Sequence, residues 1–374
     1  MKGERYEVII VGGGIAGASL SYFLAERGMT DILLLEKEDQ PGYHATGRSA
    51  SVLVELDPVR TVLQLKVMAA EFFRAPPPGF CESPLLDPRG VLTVYAEPLW
   101  PKAAEIIPFL KASGVAAEAL TIREVLCLVP VLAPGTFSGG ILLARDGHIE
   151  VHELLWSYLR QARRRGLEMR CNTEVKALEV NRGRCCGVVT DRGVIKGRWV
   201  VNAAGAWAGV VAEMAGAVPV QFTPRRRTVI SFAAPEGIDP SRWPFVENES
   251  YHFYFGPESG GLLASPMDED PVEPGDARPD EFVVAQAIDL VGRLAPTLVP
   301  RTLRNCWSGL RTFAPDQAFL IGADPLVGGF FWLAGQGGSG IETSPAAGQI
   351  AADLLLAGKT ERFDAAALSP ARFR

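Results

Sequence analysis

The sequence predicts an α/β + β architecture, in which a parallel, helix-covered sheet is interrupted by a second, mostly antiparallel α+β domain. Three observations predict it. The N-terminal stretch reads strand, glycine turn, helix, strand; a second strand–glycine turn–helix stands near the C-terminus; and short β-like runs with proline-rich connections fill the chain between them. With 374 residues and 48% hydrophobic content, the chain has material for two or three domain-sized units.

Tyr6–Val11 is a short β-branched run and predicts a strand. Gly12–Gly17 is the turn, Ala18–Arg27 has helical spacing, and Gly28 ends it. Ile32–Leu35 is apolar throughout, as a strand buried on both faces is. Residues 41–58 break into a polar loop, and prolines at 76–78 and 84–88 mark connections. Val91–Tyr95 predicts a strand and Leu99–Ser113 a helix. Val151–Arg165 predicts a further helix, whose closing run of arginines suits the negative end of the helix dipole. Leu167–Cys171, Val175–Asn181, Cys185–Thr190 and Val194–Lys196, separated by turn residues, predict a small antiparallel meander. Trp199–Ala203 follows as a buried strand. Beyond it come more β runs, a Pro/Asp-rich surface loop at 265–279, and a helix at Glu281–Leu294. Phe330–Ala334, Gly335–Gly340 and Pro345–Leu356 complete a strand, turn and helix. The expected boundaries assign 1–50, 145–218 and 312–374 to the parallel-sheet domain and 51–144 and 219–311 to the second domain.

Composition excludes several classes. Charged residues are 21% of the chain and the formal net charge is −6, which argues against disorder and against a nucleic-acid-binding chain. The six cysteines form no C-x-x-C pair and no zinc-type cluster, so no metal is expected and a reducing, cytoplasmic setting fits. No apolar run is long enough to predict a transmembrane helix, and the glycine-rich Val8–Ala18 run is expected to be a nucleotide-binding turn and not a signal peptide.

Gly12-x-Gly14-x-x-Gly17 carries the strongest chemistry. It follows a strand, opens a helix, and Glu36 closes the next strand, the context that turns a weak pattern into a Rossmann-type dinucleotide fingerprint. Gly12 permits the tight turn, Gly14 lets backbone approach a pyrophosphate, and Gly17 lets helix and strand pack closely. The amides at Ile15 and Ala16 sit at the positive helix end, and Glu36 is placed to accept from ribose hydroxyls. The second glycine turn, Gly335-Gln336-Gly337-Gly338-Ser339-Gly340, offers backbone donors to a flavin ring, and Arg48 and Ser49 follow the first unit. Together these favour FAD over NAD.

The chain resembles the D-amino-acid oxidase superfamily of flavoproteins, in the branch of glycine and sarcosine oxidases, and within it the bacterial D-arginine dehydrogenases. The resemblance rests on residues 41–49 (PGYHATGRS), 79–86, 201–207 (VNAAGAW), Trp307-x-Gly309-Leu310-Arg311, and Gly329–Trp332 with the turn after it. It implies a Rossmann-type FAD-binding domain interrupted by a substrate domain. It also implies oxidation of a carbon–nitrogen bond, hydride passing from substrate Cα to flavin N5, and hydrolysis of the imine. Further implied cofactor contacts are Lys37, His44, Thr46, Ala50, Val175, Ala204, Gly205, Trp207, Gly309 and Ile341, with FAD held non-covalently. Cys306 lies near where sarcosine oxidases tether FAD. On the substrate side, Arg311 corresponds to the carboxylate clamp, Tyr254 to a tyrosine reaching the same carboxylate, and Arg227 to a second arginine, or Arg226 if the register slips by one. Gly338 corresponds to a glycine whose carbonyl receives the amine.

Departures shape the expected substrate. Where the D-arginine enzymes have a carboxylate for the cationic side chain, this chain has Val91, and the loop after Ser49 carries Val52 and Val54 in place of polar residues. An unpaired guanidinium buried there would cost roughly 3–5 kcal/mol. A neutral or hydrophobic D-amino acid is therefore expected, unless Glu55 or Asp57 meets a cation. The alternatives are a secondary amine or 2-hydroxy acid as substrate, and, from another class, a non-catalytic flavin-binding assembly protein. Expected partners are a small amino or imino acid and an electron acceptor (oxygen, quinone or a carrier).

Overall fold

The structure is a computed structural model describing residues 4–374. At its centre β1 (Arg5–Val11) lies parallel to β2 (Ile32–Leu35) on one side and to the strand Gly193–Asn202 on the other, with Val8 opposite both Ile32 and Trp199. The end of Gly193–Asn202 also pairs in parallel with Phe330–Ala334, so both strand–glycine turn–helix units issue from strands that flank Gly193–Asn202 in one sheet. Period-two alternation splits β1 between two cores. Val8 and Ile10 pack with α1 (Ile15–Glu26) and the helices Val151–Arg163 and Ser344–Ala357; Ile9 and Val11 pack with Val200, Trp332 and the helix Ala208–Ala215. Each such fully buried side chain contributes about 1.5–3 kcal/mol.

The second sheet is nine-stranded and antiparallel except where Phe245–Asn248 runs parallel to Val91–Tyr95. Its long ribbon, Thr223–Phe232 against Leu303–Phe313, continues into the short strand Gln336–Gly337, which pairs with Thr312 and Phe313. That pairing joins the antiparallel sheet to the C-terminal glycine turn, and the cleft opens at the junction. No helix among the described residues is long and apolar enough to cross a membrane.

Four elements depart from the sequence reading. Glu168–Arg170 pairs parallel with β2, so it extends the main sheet and does not belong to the meander. Gly193–Asn202 is one strand where two were expected. The expected helix over 99–113 divides into Leu99–Ala104 and Ile107–Ala112, where Pro108, lacking an amide hydrogen, can only begin a new first turn. Helix α2 (Arg60–Arg74) was not anticipated. Although it falls within the 51–144 segment, its Val62, Leu65, Ala69, Ala70 and Phe73 pack into the core of the parallel-sheet side.

Candidate active site

The cleft begins at the turn between β1 and α1. Gly12 has φ +114° and a Cβ there would stand 2.4 Å from the Ala203 carbonyl oxygen; at Gly17 it would stand 2.0 Å from the Gly12 oxygen. Backbone therefore sits against backbone, and the floor of the turn stays open. The first intrahelical bond runs from Ala18 N–H to Gly14 O at 3.0 Å, so Ala16 and Gly17 have amides with no helical partner. The Ile15 amide donates to Thr46 Oγ1 at 3.1 Å, which fixes the following loop to the helix end. Glu36 is buried, and its two oxygens accept from the amides of Gly13 (2.8 Å) and Glu38 (2.9 Å). Each oxygen keeps a second lone pair for a ribose hydroxyl. An open glycine floor, a free helix end and a buried acid at the next strand fit the adenosine and pyrophosphate of FAD.

Beside this end Lys37 Nζ stands 3.4 Å above the Trp207 ring centroid, and His44 Nε2 lies 2.8 Å from Glu38 Oε1. The His44 hydrogen bond holds the Glu38 carboxyl below the usual range. His44 is thus tied to Glu38 by a side-chain contact.

The other end is built by the ribbon. Alternation sends Arg225 and Arg227 to one face and Arg226 to the opposite one, while Arg311 lies directly across from Arg225. Arg226 pairs with Asp270 (2.7 Å) and Asp268 (3.4 Å) and stays out of the cleft, whereas Arg227 lines it. Arg227 is buried, donates from Nε to Asp268 O at 3.0 Å and from Nη2 to Glu269 at 2.9 Å, and leaves Nη1 buried without a partner. Burial, with the neighbouring Arg311 charge, pushes Arg227 down to about 10, still a cation at neutral pH. Arg311 has no ion pair among the described residues, and its guanidinium lies over Gly338, where a Cβ would come within 2.7 Å of Nη1. Tyr254 lines the same space. Arg48 is held by Asp276 and by the carbonyls of Ala277 (3.1 Å) and Ser308 (3.2 Å), so the 265–279 loop is strapped over the cleft at this point.

The cleft brings together Gly12, Gly14, Ile15, Ala16, Glu36, Lys37, His44, Thr46, Arg48, Ser49, Ala50, Val175, Ala204, Gly205, Trp207, Arg227, Tyr254, Gly309, Arg311, Gln336, Gly337, Gly338, Gly340 and Ile341. Gly17, Gly335 and Ser339 stand behind its lining; Ser339 instead ties the turn, its carbonyl accepting from Thr343 Oγ1 at 2.6 Å. Val52, Val54 and Val91 also lie outside the lining. Val91 is completely buried, and all three belong to the apolar cluster that backs Tyr254. Neither acid proposed for a cationic substrate is free: Glu55 is paired with Arg74 beside Asp146, and Asp57 lies 2.9 Å from Lys66 Nζ. Cys306 is exposed and away from the cleft. Sequence reasoning missed Tyr43, Thr173, Val210 and Met214, which line the cleft from loops and a helix that carry no motif. It also missed Glu247, directly across from Tyr254.

Comparison with known proteins agrees with this geometry. The family model described as FAD dependent oxidoreductase (DAO) matches residues 7–354. The sarcosine oxidase subunit beta of Rhizobium meliloti is 27% identical, over 97% of this chain and 87% of that protein. Rat mitochondrial dimethylglycine dehydrogenase is 25% identical over 99% of this chain, which spans only 45% of that protein's length. The crystal structure of L-proline dehydrogenase from P. horikoshii superposes with a TM-score of 0.88 at 23% identity, covering 99% of this chain and 98% of that one. With the fingerprint, the acid that follows it and the C-terminal glycine turn assembled on one cleft, this chain belongs to the DAO family of FAD-dependent oxidoreductases.

Proposed function

We propose that this chain oxidises the carbon–nitrogen bond of a neutral α-amino acid, D-configured where it is chiral, with the substrate carboxylate held between Arg311, Arg227 and Tyr254. The observation that carries the reading is the pair of guanidiniums at one end of the cleft: Arg311 has no ion pair among the described residues, and Arg227 holds a buried N–H without an acceptor. A buried unsatisfied donor on a cation is costly, and a planar anion accepting from both arginines removes that cost. In this reading the carbonyl of Gly338, on the turn under Arg311, receives the substrate nitrogen. FAD, when bound, supplies the hydride acceptor; the residues that hold it are the glycine cradle, Glu36 and the C-terminal turn. Non-covalent binding is part of this reading, since Cys306 lies outside the cleft. So is a cytoplasmic location, on the strength of the free cysteines.

A second reading, oxidation of an N-alkylated or cyclic amino acid, is favoured by the names of the relatives, which act on sarcosine, dimethylglycine and proline. One experiment separates the two. Purified protein is mixed anaerobically with D- and L-amino acids, sarcosine, dimethylglycine, proline and 2-hydroxy acids, and loss of visible flavin absorbance is followed. Fastest bleaching by apolar D-amino acids supports the first reading. Fastest bleaching by sarcosine or proline supports the second, and bleaching by hydroxy acids alone overturns both.

A further inference from the structure

Glu247 is a carboxylate that the arginine clamp does not use. It stands on the strand Phe245–Asn248, directly across from Tyr254 on one side and from Thr93 on the other. Direct cross-strand partners share a face with Cβ atoms about 4.5–5.5 Å apart, so Glu247 projects on the side that carries Tyr254 to the cleft. Protein surrounds its carboxylate and the residue is half-buried; it stands outside the cleft lining, beside Tyr254, which belongs to that lining. The other deep acids are engaged: Glu55 and Asp146 by Arg74, Glu342 by Lys66, and Asp324 by the Trp332 indole at 2.9 Å. Glu247 has neither a hydrogen bond nor an ion pair among the described residues. The Thr93 hydroxyl beside it is fully buried and also lacks a partner.

The charged and titratable groups around Glu247 are Glu249 on its own strand side, Lys66 from α2, Glu342 beyond the glycine turn, Arg311 from the ribbon, and the neighbouring Tyr254 and Tyr95. Lys66 is already committed to Asp57 and Glu342. Burial pushes Glu247 up to about 7, helped by Glu249 and Glu342 and opposed by Lys66 and Arg311.

We propose that Glu247 attracts the ammonium group of the substrate and takes its proton through water, from beside Tyr254, before the Cα–H bond breaks. The inference rests on the amino-acid reading above. The proton passes from substrate nitrogen to the Glu247 carboxylate, giving a neutral amine and a carboxylic acid that later loses the proton to solvent. The freed lone pair forms the C=N bond as hydride leaves Cα, which a protonated nitrogen cannot do. A zwitterion is then read at both ends, its anion by the clamp and its cation by Glu247. A base that titrates near the working pH is suited to this transfer.

The test is the pH dependence of anaerobic flavin reduction by the best amino-acid substrate, in the wild type, E247Q and E247D. The wild-type rate should fall on the acid side of neutrality. E247Q should reduce about 10²-fold more slowly and lose that acid limb, while binding of propionate, a carboxylate without nitrogen, stays unchanged. E247D should recover part of both the rate and the limb. If E247Q fails to hold flavin, E247D decides alone: a loss above about tenfold in rate with the limb retained is expected, and wild-type rates overturn the proposal. An acid limb in E247Q like that of the wild type, with reduction otherwise intact, refutes the role of Glu247 and leaves the amino-acid reading standing. A wild type bleached by no amine refutes that reading itself.

Discussion

Replacing Lys66 by Met should destabilise the protein by about 3–5 kcal/mol, the usual cost of stranding a buried charge partner. Lys66 is 5% exposed on α2. Its ammonium meets Asp57 Oδ2 at 2.9 Å, Glu342 Oε1 at 3.1 Å and the Leu56 carbonyl at 3.0 Å, so its three donors have three acceptors. Burial works against the lysine charge, but Glu342 and Asp57 together hold its pKa above the ordinary range. Methionine fills a similar volume and removes all three contacts, leaving two carboxylates in a protein interior. Burial already raises Glu342 against the pull of Lys66, and without the lysine the rise must grow. A carboxyl whose folded pKa is raised binds more protons folded than unfolded, so stability falls as pH rises. The deficit of Lys66→Met should therefore be smaller at mildly acid than at mildly alkaline pH. Urea unfolding followed by far-UV circular dichroism measures both quantities. Because Glu342 directly follows Ile341 of the cleft lining, the same variant should release flavin more readily. Adding Glu342→Gln should recover part of the loss. A deficit under about 1 kcal/mol, the range of an exposed ion pair, or one that grows on acidification, would refute the reasoning.

Three further outcomes are expected. Arg311→Met should lower kcat/KM by roughly 10–150-fold, the equivalent of losing a charged hydrogen bond of about 1.5–3 kcal/mol, with flavin content unchanged; steady-state kinetics on the best substrate checks this. Gly17→Ala should purify largely without flavin, because its Cβ would lie 2.0 Å from the Gly12 carbonyl oxygen and α1 must move off β1; a flavin-to-protein ratio equal to wild type would contradict it. Arg227 is pushed down to about 10 by burial and by Arg311, so it loses charge only as pH rises past that value. Binding of propionate should thus be flat through neutrality and weaken in strongly alkaline solution. A weakening already complete at neutral pH would exclude Arg227 from the clamp.

The strands Ile32–Leu35, Val91–Tyr95 and Phe330–Ala334 and the helix Glu281–Leu294 fall where the sequence pattern places them. Each is defined by its own periodicity and by adjacent breakers, which are local properties. Helix α2 escaped notice because charged residues interrupt its apolar stripe. One of them, Lys66, is buried, and only partners distant in sequence make that burial tolerable. The same distance effect hid the state of Glu55 and Asp57. Beside Val54 and Leu56 they read as a polar lid within reach of substrate, yet Arg74, Asp146 and Lys66 engage them.

By itself, then, the sequence determined the nucleotide end of the cleft, because a glycine turn, a helix start and the acid after the next strand are contiguous and their spacing is their geometry. The substrate end belongs to the tertiary structure. Arg227, Tyr254, Arg311 and Gly338 come from separate segments, and the pairing of Thr312 with Gly337 is what sets Arg311 over Gly338. Glu247 carries no motif at all. Only its strand register beside Tyr254, and its lack of a hydrogen bond or ion pair among the described residues, sets it apart from an ordinary surface acid. Burial and the pairing of charges are long-range sums over the whole fold, and no window of sequence contains them.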